Sequence, residues 1–256
     1  MQPDVSGNDE IAALRRLIDA SDGIVALTGA GISTESGIPD FRSPGGVWTR
    51  MKPITFQEFV ASEEARLEDW RRRFVSNAKF ADAQPNAGHH GLVRLAEEGR
   101  LSAVITQNID GLHQRAGLAP ERLIEIHGNA TRGRCIECGV PMSLAAVRRI
   151  IDDTGASPRC DCGGLVKAAI ISFGERMPIE ELEAASRLAQ SADLFLVVGS
   201  SLQVQPAAML PLTAKHAGAR LAIVNREATP LDGHADVIVR RAIGAVFAAL
   251  YPQLVN

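Results

Sequence analysis

An excess of basic charge is what this chain most plainly lacks. Its 27 Lys and Arg face 30 Asp and Glu, for a formal net charge of −3 at pH 7. That leaves no electrostatic footprint for tight nucleic-acid binding. Residues 1–10 are polar and carry acidic rather than basic charge, so no secretory signal is expected. No run suits a membrane span. The stretch 194–214 is uncharged, but Ser200, Ser201, Gln203, Gln205, Pro206 and Pro211 interrupt it. A strand, a polar turn and a helix account for it better than a bilayer segment. Cysteine is scarce, and all 4 residues fall between positions 135 and 162. A disulfide framework would scatter them; a tight cluster without a signal peptide points to metal and to a reducing cytoplasm. Internal repeats and low-complexity segments are also missing.

What the chain does carry is a set of short apolar runs. Ile24–Thr28, Leu101–Thr106, Leu194–Val198, 221–224 and Val237–Val239 suit buried parallel strands. Helical patterns lie between them, as at 88–98, 179–188 and 206–217. This alternation predicts an α/β fold with a doubly wound, Rossmann-like parallel sheet. It breaks over 43–80, read as loop and helix, and over 130–165, where the cysteines sit among Gly and Pro. The second break predicts a small metal-binding domain inserted into the larger one, and 256 residues leave room for both.

The first run opens into Gly29-Ala30-Gly31-Ile32-Ser33-Thr34-Glu35-Ser36-Gly37-Ile38-Pro39-Asp40-Phe41-Arg42. A strand, a Gly-rich turn and a helix start present backbone N–H groups to a pyrophosphate. A helix-capping turn without a ligand is the simpler alternative. The hydride-transfer fingerprint is not met. Thr34 stands where a third glycine belongs, and Trp48-Thr49-Arg50 stand where an acidic residue would take the ribose. Asp40, Phe41 and Arg42 add a carboxylate, a ring and a guanidinium that a phosphate turn alone does not need.

Further strand ends carry chemistry. Thr106-Gln107-Asn108-Ile109-Asp110-Gly111-Leu112-His113 follows the second run, and His127-Gly128-Asn129 follows the apolar stretch 123–126. Ligands in open α/β sheets bind beyond the carboxyl ends of strands, so these groups are expected in the same crevice as the glycine turn. Amides and a carboxylate suit ribose hydroxyls and a carboxamide, although Asn108-Ile109-Asp110-Gly111 could equally be a turn that satisfies its own backbone. His127 suits proton transfer near neutral pH, with a purely structural histidine as the alternative. Val198-Gly199-Ser200-Ser201 and Val224-Asn225-Arg226-Glu227 add hydroxyls, an amide and a carboxylate at two more strand ends.

Cys135-x2-Cys138 and Cys160-x-Cys162 offer four thiolates to a tetrahedral metal, with Gly139, Gly163 and Gly164 allowing the turns. Zinc suits this set, and four protein ligands leave no open position, which favours a structural role. A redox-active pair is the competing reading.

Taken in order, these residues resemble the sirtuin family of NAD-dependent protein-lysine deacylases. The resemblance covers residues 20–250. It implies that NAD lies between a discontinuous Rossmann-like domain (10–42, 84–128 and 168–254) and a zinc module (129–167), with 43–83 as a helical cofactor-loop segment. Gly29, Ala30 and Gly31 are then expected at the pyrophosphate, and Asp40, Phe41 and Arg42 in a loop over the nicotinamide. Asn108, Ile109 and Asp110 would line the pocket where nicotinamide leaves, with Asn108 and Asp110 catalytic, and Gln107 would approach the ribose. Gly199, Ser200, Ser201, Asn225, Arg226, Glu227 and Ile243 would hold the adenosine half. His127 would be the catalytic base, and Ile170, Phe173, Gly174 and Glu175 would receive the acyl-lysine peptide as an added strand. The implied products are free lysine, nicotinamide and O-acyl-ADP-ribose. Mono-ADP-ribosyl transfer is the alternative use of the same NAD site. Protein substrates, but no nucleic acid or membrane, are the expected partners.

Two departures from the family pattern bear on the acyl group. Relatives that prefer succinyl or malonyl groups carry a Tyr and an Arg three residues apart before the Pro-Asn stretch. Here that region reads Asp69-Trp70-Arg71-Arg72-Arg73-Phe74, and the single tyrosine is Tyr251. The acid-binding pair is therefore absent, and Arg71, Arg72 and Arg73 are expected on a solvated face. Lys167-Ala168-Ala169-Ile170-Ile171-Ser172 also lacks the Pro and the second bulky residue of many relatives, which implies a differently shaped acyl pocket.

Overall fold

A computed structural model describes residues 5–40, 46 and 51–255. Strands β1 (Ile24–Thr28), β2 (Leu101–Thr106) and β3 (Leu123–Glu125) form one half of a six-stranded sheet. A second sheet of three strands comprises β4 (Gly128–Cys135), β5 (Pro141–Ser143) and β6 (Val166–Ile170). Strands β7 (Leu194–Val198), β8 (Arg220–Val224) and β9 (Val237–Val239) complete the large sheet, in the order β3-β2-β1-β7-β8-β9. Every pairing in it is parallel.

All five residues of β1 and all five of β7 are buried. These strands lie at the centre with helices on both faces, which is why they read as unbroken apolar runs rather than alternating ones. Leu14, Ile18, Leu92, Leu95, Val246 and Phe247 cover one face. Ala185, Ala189, Leu210 and Ala214 cover the other. The strand order reverses direction between β1 and β7, and a crevice opens beyond the carboxyl ends at such a reversal.

The small sheet is antiparallel, with β4 between β5 and β6. Its core is six buried side chains, Trp70, Ala130, Val147, Val166, Ala168 and Ile170. Trp70 comes from the long helix Glu63–Asp82 and donates its indole N–H to the Val166 carbonyl at 3.2 Å. Helix Leu144–Thr154 closes the other side through Val147; the Ser143 hydroxyl caps its start and Gly155 its end. Strand β6 runs across the boundary expected between residues 167 and 168.

The helix expected after the glycine turn is a 3-10 helix, Ala30–Ser36, ended by Gly37 at a φ of 84°. The pattern over 206–217 divides likewise into a short 3-10 turn, Ala207–Met209, and helix Leu210–His216. Two helices, Phe56–Ala61 and Glu63–Asp82, fill the region expected as loop and helix. No described helix is long and apolar enough to cross a membrane.

Candidate active site

A cleft of about 760 Å³ lies between the two sheets. The residues following β1, β2, β3, β7 and β8 all reach it: Gly29, Gln107, His127, Gly199 and Asn225. So do Ala30, Gly31, Asp40, Asn108, Ile109, Ser200, Ser201, Arg226, Glu227 and Ile243. The small-sheet side contributes Ile170, Phe173, Gly174 and Glu175. Phe41 and Arg42 lie outside the described residues.

The glycines at the head of the cleft have a packing reason to be there. A Cβ on Gly31 would stand 2.7 Å from the Gly199 carbonyl oxygen, and one on Gly199 would stand 2.3 Å from the Ile32 nitrogen. The Gly31 N–H donates to the Gly199 carbonyl at 2.8 Å. Only two bare backbones can approach so closely, so the turns after β1 and β7 meet across the point where the sheet reverses. Thr34, in the third-glycine position, lines the cleft and donates its hydroxyl to the Gly31 carbonyl at 2.9 Å.

The β2 turn is pinned from beneath. Asn108 is buried; its side-chain amide donates to the Gly29 carbonyl at 3.1 Å and to Ser33 Oγ at 3.3 Å. Its backbone N–H donates to Thr106 Oγ1 at 3.0 Å. Asp110 departs from expectation. It stands behind the cleft wall rather than in it, buried, accepting from Ser33 Oγ at 2.7 Å and from the Leu112 N–H at 2.9 Å. Burial pushes its carboxyl above the usual carboxylate range. Asp110 thus holds Ser33, and Ser33 holds Asn108.

Gln107 donates to Ser200 Oγ at 2.7 Å, tying the β2 and β7 turns together. The Gln107 carbonyl contacts His127 Nδ1 at 3.0 Å. A carbonyl can only accept, so Nδ1 carries the proton in that bond, and in the neutral ring the lone pair is then on Nε2. The His127 carbonyl accepts the Ile171 N–H at 2.9 Å, which extends the β4–β6 pairing to the site. Ile243 is held by Glu35, whose carboxylate accepts the Gly244 N–H at 3.0 Å at the start of helix Ile243–Leu250.

The segment carrying Phe173, Gly174 and Glu175 is anchored at two levels. Above, the Phe56 N–H donates to the Phe173 carbonyl at 2.8 Å and Gln57 donates to the Gly174 carbonyl at 3.0 Å. Below lies Lys167, fully buried, with its ammonium 2.9 Å from Glu175 and in contact with the Ile170 carbonyl. Glu175 also accepts from Arg134 at 3.1 Å and from the Ser172 N–H at 2.9 Å. Burial lowers the Lys167 pKa, while Glu175 opposes the fall.

The arginine run is not one solvated face. Arg71 is 64% exposed and pairs with Glu68. Arg73 instead turns into the cleft, paired with the buried Asp69 at 3.1 Å. Their spacing on a helix separates them: two residues on, the side chain points to a different side. Ser33, Arg73, Ile54 and Met177 are site residues that motif reasoning did not assign. Ser33 had a signal, being a hydroxyl two residues past the second glycine; Arg73 had none, because three adjacent arginines look alike in sequence.

The four cysteine sulfurs lie within 4.8 Å of one another. Cys135 and Cys162 are 3.5 Å apart, Cys138 and Cys162 3.5 Å, and Cys138 and Cys160 3.6 Å. Four sulfurs at about 2.3 Å from one tetrahedral zinc would be spaced at nearly these distances. The N–H of Cys138, then that of Glu137, draws the Cys135 thiol down to about 7. The Val140 N–H favours the Cys138 thiolate, yet the sulfurs beside it push that thiol up to about 12. Such a cluster cannot hold several thiolates without a cation, so it is positioned for a metal ion. Gly164 is required beside it, since a Cβ there would meet Cys135 Sγ at 2.6 Å.

The Sir2 family model matches residues 29–206, and the chain belongs to that family. The NAD-dependent protein deacetylase 1 of Bradyrhizobium diazoefficiens is 54% identical over 235 residues, covering 91% of this chain and 92% of its own. The NAD-dependent protein deacetylase of Rhodopseudomonas palustris is 51% identical over 235 residues, covering 91% and 93%. A solved structure of Sir2 with p53 peptide and NAD+ matches with a TM-score of 0.85 at 36% identity, over 95% of this chain and 98% of that one.

Proposed function

We propose that this chain is an NAD-dependent protein-lysine deacylase, principally a deacetylase, and that it acts in the cytoplasm on acyl-lysine-bearing proteins. The observation that carries the reading is a single cleft. Polar groups from five strand ends meet there with an apolar wall and with one histidine, His127, whose Nδ1 is held by the Gln107 carbonyl so that Nε2 can take a proton. Its volume suits a buried ligand, and its polar groups fit a dinucleotide: an amide and a carboxylate at Asn225 and Glu227, backbone at Gly29, Ala30 and Gly31, and a buried amide at Asn108.

When bound, NAD supplies a glycosyl donor with a neutral leaving group. In this reading Gly199, Ser200, Ser201, Asn225, Arg226, Glu227 and Ile243 hold the adenosine half. Gln107 approaches the second ribose, and Asn108 and Ile109 hold the nicotinamide end. Asp110 acts through Ser33 and is a positioning residue. Asp40 belongs with Phe41 and Arg42 to the loop over this end. Ile109, Ile170 and Ile54 exclude water around the acyl group, and Phe173, Gly174 and Glu175 receive the peptide. His127 takes a proton from a ribose hydroxyl at Nε2 while Gln107 fixes its ring. Cys135, Cys138, Cys160 and Cys162 hold one structural zinc. The division into a discontinuous NAD-binding domain, a helical segment and a zinc module belongs to the same reading.

The test is product analysis. Incubation with NAD and an acetyl-lysine peptide is expected to yield free lysine, nicotinamide and O-acetyl-ADP-ribose in equal amounts. Nicotinamide released only with ADP-ribose attached to protein would overturn the reading in favour of ADP-ribosyl transfer.

A further inference from the structure

Beneath the cleft floor lie two histidines to which no role has been given, His89 and His113, 0% and 2% exposed. Their ring centroids are 5.1 Å apart with planes inclined by 58°. Each ring has one nitrogen engaged, and the partner fixes the tautomer. The Asn86 N–H donates to His89 Nδ1 at 3.3 Å. A backbone N–H can only donate, so the proton of a neutral His89 sits on Nε2. Thr28 donates its only hydroxyl proton to Thr106 Oγ1 at 2.8 Å, and Thr28 Oγ1 also contacts His113 Nε2 at 2.9 Å. The second contact therefore needs His113 Nε2 as the donor, and His113 Nδ1 keeps a lone pair.

One nitrogen on each ring, His89 Nε2 and His113 Nδ1, is buried without a hydrogen-bond partner among the described residues. One is a donor and the other an acceptor, on adjacent rings. Leaving both unmet in a buried site is costly, and their rings are neighbours.

We infer that His89 and His113 are a neutral imidazole pair joined by an Nε2–H to Nδ1 hydrogen bond, and that this pair positions Asn108 for cleavage of the nicotinamide bond. With that bond made, the chain from Asn86 to Asn108 is continuous. Asn86 holds the Ile32 carbonyl at 2.7 Å and Ser36 Oγ at 2.9 Å, and so grips the turn after β1. His89, His113, Thr28 and Thr106 follow, and Thr106 Oγ1 accepts the Asn108 N–H at 3.0 Å. A helix start, two strand ends and the cleft floor are thereby locked in one register. Neither histidine lines the cleft, so both are positioning residues.

Long-range proton–nitrogen correlation spectra of the full chain labelled at histidine test the pairing at pH 7. Both rings are expected as the Nε2–H tautomer, with signals assigned by their loss in His89→Asn and His113→Gln. The His113 Nδ1 resonance should also move in His89→Asn, whose shorter side chain lacks an atom at the Nε2 position but keeps an acceptor for the Asn86 N–H. An Nδ1–H tautomer or a doubly protonated ring at either position overturns the pair, as does an unmoved Nδ1 resonance. The functional arm rests on the deacylase reading. His113→Leu is expected to slow nicotinamide exchange about tenfold with the apparent affinity for NAD changed less than about twofold, and His113→Gln, which can still donate to Thr28, to recover most of the loss. Equal exchange in folded Leu and wild-type protein overturns the positioning role. Absence of deacylation by the wild type would instead sink the activity reading, and the spectra would still decide the pair.

Discussion

The two sheets are stabilised by different means. The large sheet buries whole strands: β1 and β7 present no exposed residue, and helices cover both faces. The small sheet has three antiparallel strands, six buried core side chains, a buried lysine paired with the half-buried Glu175, and a four-sulfur cluster. Hydrophobic burial grows with the apolar area removed from water, so it suffices for the first. A core of six side chains is marginal, and such units are held by metal or cross-links. The cleft lies between them. One wall is therefore rigid by packing, and the other is as ordered as its metal and ion pair make it.

The most severe way to break this contrast is to remove the metal. Cys135→Ala, or a strong chelator, is expected to lower the melting temperature by about 10 °C or more, with zinc lost from the protein, while strand content from the large sheet survives. Unchanged metal stoichiometry would end the structural-zinc assignment. Next in size is Trp70→Ala, which empties the centre of the small core and is expected to cost about 3–5 kcal/mol in chemical denaturation. A loss below about 1 kcal/mol would mean that the small sheet does not depend on that core.

A smaller effect comes from pH. Burial, and for His89 the neighbouring His113 and His90, lower the pKa values of His89 to about 3 and His113 to about 4 from 6.5. The unfolded chain therefore binds protons below pH 6.5 that the folded one refuses until about pH 4 and then about pH 3. Stability is complete above the unfolded pKa and is lost as pH falls through that window, on the order of 1.4 kcal/mol per pH unit for each group. His113→Gln should flatten this slope; an identical slope would show that His113 titrates normally. The smallest effect belongs to Arg71→Ala, whose exposed pair with Glu68 is expected to matter by less than about 0.5 kcal/mol in a thermal melt. A larger loss would mean that the helix Glu63–Asp82 depends on its outer face.

The legibility of the sequence follows the same division. β1, β2, β7 and β9 match their apolar runs to the residue, and in the central β1 and β7, buried throughout, the reason is that both faces need apolar side chains. β4, read only as part of the cysteine module, is Gly-Asn-Ala-Thr-Arg-Gly-Arg-Cys and has no such run. Its order comes from pairing with β5 and β6 and from the sulfurs, neither of which leaves a hydrophobic period. The site shows the same limit. Strand ends announce themselves through Gly and polar residues, so His127, Asn108, Gly199 and Asn225 could be placed in one cleft. That Asp110 turns behind the wall, and that Arg73 enters the cleft while Arg71 does not, depends on side-chain direction, which spacing alone did not resolve.

The central claim is that groups from the rigid wall cleave NAD while His127, at the junction with the small sheet, acts on the ribose afterwards. It is tested most directly by exchange of labelled nicotinamide into NAD with acetyl-lysine peptide present, measured beside lysine release in His127→Ala. The account predicts that exchange persists while lysine release falls about 10²–10⁴-fold, with the melting temperature unchanged. Full lysine release in His127→Ala, or loss of exchange in step with it, would contradict the account.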